Sequence, residues 1–131
     1  MISVLDASAA VEIALGKEQA VIFNKVLLNS EIVLAPDLFV SEITNVFWKY
    51  RTITGISDNQ CTEGIEFCLN LVDDYVKTKD LWREVFSQSV VEKHSVYDVF
   101  YLVIARRNSA QLVTCDKKLK KLAVKLNIQT I

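Results

Sequence analysis

The sequence predicts a three-layer α/β/α domain built around a mostly parallel sheet of four or five strands. Short apolar or β-branched runs alternate along the chain with longer segments whose apolar residues recur at three-to-four spacing. Adjacent parallel strands need a crossover, and the longer segments supply helical ones. The 131 residues include only three glycines and one proline, so few breakers interrupt this pattern. We therefore expect one α/β domain over residues 1–131.

Four runs are typical of buried strands because each is short, apolar or β-branched, and bounded by polar residues or a breaker. They cover residues 2–5, 32–35, 111–114 and 128–131. A weaker run at 73–76 fits a strand or a loop equally, which is why the strand count is four or five.

Seven longer segments have helical periodicity. They cover residues 8–15, 18–29, 38–51, 57–72, 81–92, 96–107 and 117–126. Ser57 with Gln60, and Ser95 with Asp98, have the spacing of a capping box at a helix start. Residues that tolerate left-handed backbone geometry stand where three of the helices end, namely Gly16, Gly55 and Asn108.

Composition excludes several classes of protein. No apolar run approaches the roughly 18 residues of a membrane span, and the first residues lack the basic and apolar regions of a signal peptide, so we expect a cytoplasmic protein. Cys61 and Cys68 lie two helical turns apart, too far for a disulfide, and are expected to be core thiols. With a single histidine, no Cys/His zinc site can be assembled.

Four acidic residues fall where a parallel sheet places its ligands, outside the carboxyl ends of the strands. Asp6 directly follows the first strand, and Asp116 lies between the 111–114 strand and the next helix. Glu42 lies one turn into the helix after the second strand, and Asp98 lies in the first turn of the 96–107 helix. Such carboxylates suit Mg²⁺ or Mn²⁺, which prefer oxygen ligands and can activate water against a phosphate.

Each acid also has a purely structural interpretation. Asp116 is a good N-cap, Asp98 can complete the capping box with Ser95, and Asp6 can close an Asx-turn. Glu42 alone is more often a solvated helix charge than a ligand. These interpretations leave unexplained why all four acids share a strand-to-helix placement.

The motifs around these acids resemble those of the PIN-domain family, particularly its VapC-type toxins. The resemblance covers nearly the whole chain and rests on the following segments, in order: Asp6-Ala-Ser8, Pro36 with Ser41-Glu42-Ile-Thr-Asn45, Tyr97-Asp98 with Tyr101-Leu and Ile104-Ala105, and Leu112-Val-Thr-Cys-Asp116-Lys-Lys-Leu119.

The resemblance implies specific roles for seven residues. The metal-binding and catalytic acids would be Asp6, Glu42, Asp98 and Asp116, and the polar residues that position them or the substrate would be Ser8, Asn45 and Thr114. It also implies a magnesium-dependent endoribonuclease, with Mg²⁺ or Mn²⁺ as cofactor, that is held inactive by an antitoxin protein.

Two other functions are consistent with an acidic pocket in an α/β domain. A receiver-like signalling domain also binds Mg²⁺, but it requires a pair of adjacent acids after the first strand. This chain has only Asp6 at that place. The other is a catalytically silent PIN-like module that only binds RNA or protein.

Basic and aromatic residues offer candidate surfaces for partners. Seven of the fifteen basic residues fall in the last quarter, where they form either an RNA-backbone stripe or a solvated face: Arg106, Arg107, Lys117, Lys118, Lys120, Lys121 and Lys125. A net charge of −1 gives no overall attraction for RNA, so any RNA site must be local. His94 precedes Asp98 by four positions and could reach a phosphate from the start of the helix, but it is expected to be a surface or capping residue.

The helices also carry an aromatic surplus, which includes Phe39, Phe47, Trp48, Tyr50 and Trp82. Most of these side chains are expected in the core. The others would mark a homodimer face or an antitoxin groove, because exposed aromatic patches are typical of interfaces.

Overall fold

Four parallel strands form the central sheet in a computed structural model that describes residues 1–131, and their order across the sheet is β3-β2-β1-β4. The strands are β1 (Ile2–Leu5), β2 (Ile32–Pro36), β3 (Asp74–Val76) and β4 (Gln111–Val113). The register places Ser3 of β1 between Val33 of β2 and Gln111 of β4. The predicted three-layer fold with a parallel sheet is confirmed, and the 73–76 run is a strand.

The predicted strand at 128–131 is wrong. Residue Thr130 alone pairs with Leu112, through one isolated parallel bridge. The Leu112 amide donates to the Gln129 carbonyl at 2.8 Å, and the Ile131 amide donates to the Leu112 carbonyl at 3.2 Å. A three-residue strand such as β4 turns the backbone groups of only its central residue to the outer edge. The outer edge of β4 therefore supports one bridge and no longer ladder.

Seven α-helices connect and cover the strands: α1 (Ala7–Ala14), α2 (Ala20–Leu28), α3 (Leu38–Thr54), α4 (Asp58–Asn70), α5 (Trp82–Glu92), α6 (Val96–Arg107) and α7 (Lys117–Lys125). A short 3₁₀ turn at Thr78–Asp80 precedes α5. None of the helices is long and apolar enough to cross a membrane. Each predicted helix exists, although α3 continues three residues further than expected, to the left-handed Gly55 (φ 71°).

The predicted caps are partly confirmed. Ser57 and Gln60 form the capping box of α4, and Gly16 has the expected left-handed backbone. The capping box of Ser95 is wrong, because its side chain makes no capping bond and the Asp98 carboxylate instead accepts a hydrogen bond from His94. The left-handed conformation predicted for Asn108 is also wrong, because its φ is −106°.

Ser109 takes the left-handed conformation at the end of α6 in place of Asn108, with φ of 49°. The Asn108 side chain remains free to donate to the Ile104 carbonyl at 2.8 Å. This bond satisfies one of the last helical carbonyls by a different route from a left-handed cap.

Helix α6 is the central helix of the core. It packs on β1, β2 and β4 and is covered by α5. Its residues 101–105 are all buried, so it is apolar around most of its circumference. Because its first turn reaches the carboxyl edge of the sheet, α6 brings Asp98 to the end of the strands that carries Asp6.

The aromatic residues divide between the core and the surface. Phe39 and Phe47 are buried, and Tyr50 packs against the core. Trp48 and Trp82 are exposed, together with Phe67 and Phe86. Cys61 and Cys68 are buried free thiols, as expected.

Candidate metal centre

The site begins where β1 and β4 end side by side. The Asp6 amide donates to the Val113 carbonyl at 3.1 Å, so the residue after β1 stays paired with the last residue of β4. Asp116 lies three residues after Val113 and caps α7. The parallel pairing therefore places these two acids at one edge of the sheet, as expected from the sequence.

Asp6 is buried, with 6% of its surface exposed, and is held by three donors. Its Oδ1 accepts from the Ser8 hydroxyl at 2.7 Å and from the Ala9 amide at 3.0 Å. Its Oδ2 accepts a short hydrogen bond from the Thr114 hydroxyl. Burial raises the pKa of Asp6 to about 6, and the negative charge of Asp116 adds to the rise.

Asp116 is fixed by the start of α7. Its Oδ1 accepts from the Lys118 amide at 2.9 Å and from the Leu119 amide at 3.1 Å. The Asp116 amide in turn donates to the Thr114 hydroxyl oxygen at 3.0 Å. Thr114 therefore links Asp6 and Asp116, and the N-cap role predicted for Asp116 is confirmed alongside its position in the acidic cluster.

Glu42 approaches from α3, the helix that follows β2. Its Oε1 accepts a hydrogen bond from the buried Tyr101 hydroxyl at 2.5 Å. Partial burial raises the pKa of Glu42, and the charges of Asp6 and Asp98 contribute further. Glu42 is thus a member of the cluster rather than an isolated solvated charge.

Asp98 lies partly exposed in the first turn of α6. Its Oδ2 lies 2.9 Å from His94 Nε2, and the side chains of Asp98 and His94 are 32% and 18% exposed. The expectation that His94 is a surface or capping residue is therefore corrected, because it is half-buried and contacts a candidate ligand. The i,i+4 spacing of the two residues was the available sequence signal.

Each of the four acids keeps an oxygen with unused acceptor capacity. Glu42 Oε2, Asp98 Oδ1 and Asp116 Oδ2 accept no protein hydrogen bond, whereas the other oxygen of each carboxylate is held by a donor. Asp6 Oδ2 accepts only one bond of the two that a carboxylate oxygen can accept. Glu42, Asp98 and Asp116 thus each have one anchored and one available oxygen, an arrangement that suits the binding of a hard cation.

The acids do not, however, form a ready-made ligand cluster. In the described conformation no three His, Cys, Asp or Glu side chains stand together closely enough to hold one ion. Mg²⁺ usually keeps several waters and is bound through one or two carboxylates, so the donor set fits a partly hydrated ion. Burial is the main cause of the raised pKa values of Asp6 and Glu42, and neighbouring acidic charges, which a cation would relieve, add to the rise.

The three polar residues named by the resemblance lie in different settings. The Ser8 hydroxyl donates to Asp6, accepts from the Cys115 amide at 3.0 Å and lies 3.2 Å from the Thr114 hydroxyl. Ser8 and Thr114 therefore form part of the site. Asn45 is exposed on α3, one turn after Glu42, and has no hydrogen bond to the acids.

The basic residues of the last quarter separate into two groups. Arg106 and Arg107 pair with Glu84, and Lys125 donates to Glu92 at 2.7 Å. The other four make no ion pair and lie at the start of α7, next to Asp116: Lys117, Lys118, Lys120 and Lys121. We call these four residues the α7 lysine cluster.

A comparison with known families identifies the family of this chain. A family model described as the PIN domain matches residues 3–125, which is nearly the whole chain. The chain belongs to the PIN-domain family. No curated protein matches it significantly. The family assignment sets aside the receiver-like alternative, and PIN domains are generally nucleases, so the acidic site lies in a nuclease fold.

Two solved structures share the fold of this PIN domain. PAE2754 from Pyrobaculum aerophilum is similar with a TM-score of 0.70 and 22% identity, over 97% of this chain and 90% of that one. VapC20 from Mycobacterium tuberculosis, a toxin that cleaves the sarcin-ricin loop, is similar with a TM-score of 0.63 and 12% identity, over 92% and 94% of the two chains. At these identities the likeness concerns the fold.

Proposed function

We propose that this PIN domain is a Mg²⁺- or Mn²⁺-dependent endoribonuclease and the toxin of a toxin–antitoxin pair, with residues 1–131 acting as one catalytic unit in the cytoplasm. The observation that carries the proposal is the clustering of Asp6, Glu42, Asp98 and Asp116 at the carboxyl edge of the sheet. The fold shared with an RNA-cleaving toxin supports RNA as the substrate and an antitoxin as a partner.

The four acids divide the work of phosphodiester hydrolysis. Asp6, Asp98 and Asp116 would hold the divalent ion, with Ser8 and Thr114 fixing the orientation of Asp6. When bound, such an ion lowers the pKa of water and neutralises charge on the phosphate. Glu42 would orient the attacking water, because its Oε2 accepts no protein hydrogen bond and its raised pKa favours it as a proton acceptor.

The α7 lysine cluster is the proposed contact for the RNA backbone. Its four side chains have no acidic partner in the protein, and they begin directly after Asp116. Phosphates bound there would lie beside the acids, which otherwise repel a polyanion. Arg106, Arg107 and Lys125 are excluded from this role because their charges are already paired.

A homodimer is proposed from the exposed face of α5. Trp82, Phe86 and Val90 are spaced four residues apart, so they form one stripe along the helix, and each is more than half exposed. Exposed apolar stripes of this kind are typical of protein interfaces.

The function is tested by RNA cleavage with purified protein that is free of any partner. We expect cleavage of single-stranded or loop RNA in Mg²⁺ or Mn²⁺, loss of cleavage in EDTA, and recovery when excess metal is added. Cleavage that continues undiminished in EDTA would rule out the metal mechanism. A protein that binds RNA but never cleaves it would instead be the silent binding module.

A further inference from the structure

Tyr101 is a buried phenol within an apolar stretch of α6. Only 2% of its surface is exposed, and its neighbours Val99, Leu102 and Val103 are also buried. Its hydroxyl makes one hydrogen bond, to Glu42 Oε1 at 2.5 Å. That distance is typical of a charge-assisted bond between a hydroxyl and a carboxylate.

The direction of this hydrogen bond is fixed. A tyrosine phenol carries its proton at neutral pH, and an ionised carboxylate can only accept a hydrogen bond. Tyr101 therefore stays protonated and donates, while Glu42 accepts.

The bond joins two helices that carry acids of the site. Tyr101 lies three residues after Asp98, on the same face of α6, whereas Glu42 projects from α3. A glutamate side chain has several rotatable bonds, and holding one oxygen restricts most of them. Because Oε1 is held, only Oε2 is left for a ligand.

A phenylalanine would fill the same buried space without needing an acceptor, so packing alone does not explain the hydroxyl. We propose that Tyr101 is a positioning residue of the metal centre, whose hydroxyl fixes Glu42 relative to Asp98 and presents Glu42 Oε2 to the metal ion or to its bound water. This inference rests on the proposed function, because the proposed function assigns Glu42 to the metal site.

The test measures Mn²⁺ affinity by calorimetry on the full chain. We expect Tyr101→Phe to weaken Mn²⁺ binding by about 10-fold or more, as is usual when a residue that orients a ligand is removed. Tyr75→Phe is the matched control, because the Tyr75 hydroxyl donates at 2.8 Å to the Leu69 carbonyl and to no acid. It should bind Mn²⁺ as the wild type does.

A double-mutant cycle shows whether Tyr101 acts through Glu42. Glu42→Gln should weaken Mn²⁺ binding by itself, and adding Tyr101→Phe to it should cause little further loss. Melting of the metal-free proteins reports folding separately. A Tyr101→Phe protein that melts earlier but keeps wild-type Mn²⁺ affinity would show a purely structural tyrosine and overturn the inference.

The outcomes also separate this inference from the function on which it rests. A wild-type protein that binds no Mn²⁺ overturns both. A wild type that binds Mn²⁺, with Glu42→Gln or Tyr101→Phe binding it equally well, overturns only the positioning role and leaves the metal-dependent nuclease standing.

Discussion

Asp6 is the acid that burial affects most. Its pKa is about 6 in the folded protein, against an ordinary value of 3.8, so the folded state binds the proton more tightly than the unfolded state does. The stabilisation from protonated Asp6 is fully present below about pH 3.8 and is lost as the pH rises through 6. The difference in pKa corresponds to about 3 kcal/mol.

We therefore predict that Asp6→Asn stabilises the metal-free protein at pH 7.5, by up to about 3 kcal/mol, and has little effect at pH 4, where wild-type Asp6 is protonated. The asparagine oxygen can accept from Ser8 and Ala9, and its amide can donate to the Thr114 hydroxyl. Denaturant unfolding in EDTA at both pH values measures this.

Asp80→Asn serves as the control, because Asp80 is exposed and makes no side-chain hydrogen bond, so its effect should stay within about 0.5 kcal/mol at either pH. Equal stability of the wild type and Asp6→Asn at pH 7.5 would mean that the ionised Asp6 carboxylate does not destabilise the folded protein, which would contradict the prediction.

The positions of the four acids could be predicted from the sequence, but their partners could not. Asp6 and Asp116 follow strands, and that alone brings them to one edge of a parallel sheet. The contact between Tyr101 and Glu42 joins residues 59 positions apart, on two helices whose relative position only the tertiary fold sets. The sequence signals for Tyr101 were its place in a segment that carries the family resemblance and its hydroxyl in an otherwise apolar stretch, one turn after Asp98.

Helix α7 combines a structural face with a charged one. Leu119, Leu122 and Ala123 are buried, whereas Lys117, Lys118 and Lys121 are exposed on the opposite side. The sequence showed the basic run but not which charges were already paired, because the partners of Arg106, Arg107 and Lys125 lie on α5. Pairing across helices is a tertiary property that spacing does not reveal.

We predict that Lys121→Glu weakens RNA binding and lowers its salt dependence. Removing one phosphate interaction with a single strand reduces the slope of log K against log salt by about 0.7. The control is Lys25→Glu, the same charge reversal on an exposed residue in the last turn of α2, which leads to the opposite edge of the sheet.

Fluorescence anisotropy with labelled RNA over a range of salt concentrations measures both variants. If Lys121→Glu and Lys25→Glu have the same salt slope, the α7 lysine cluster is only a solvated face.

Two of the predicted strand runs had opposite outcomes. In the sequence the run at 128–131 fits a strand better than the run at 73–76 does, yet only the run at 73–76 forms one. Asp73 secures that strand, since its Oδ2 accepts from the Val33 amide at 2.8 Å and its own amide donates to the Val33 carbonyl at 2.8 Å. The 128–131 run meets β4, which offers one residue for pairing.

At the scale of the whole molecule, the apolar stripe of α5 predicts self-association. Phe86→Glu should shift the protein towards the monomer, because it places a charge at the centre of the stripe. Leu28→Glu is the control, since Leu28 is also exposed but lies on α2. Sedimentation velocity measures the distribution, and a dimer unaffected by Phe86→Glu would place the interface elsewhere.

The divalent-metal site is tested most directly by the Mn²⁺-induced rise in melting temperature of the wild type, Asp98→Asn and Asp116→Asn. Asparagine caps a helix about as well as aspartate at position 116, and at position 98 its oxygen can still accept from His94, so both metal-free variants should melt close to the wild type. Mn²⁺ at a hundredfold excess over its Kd should stabilise the wild type by about 2.7 kcal/mol, and both variants should lose most of that gain together with RNA cleavage. If both variants keep the full rise in melting temperature and full cleavage, these aspartates are structural residues and the proposed metal centre is wrong.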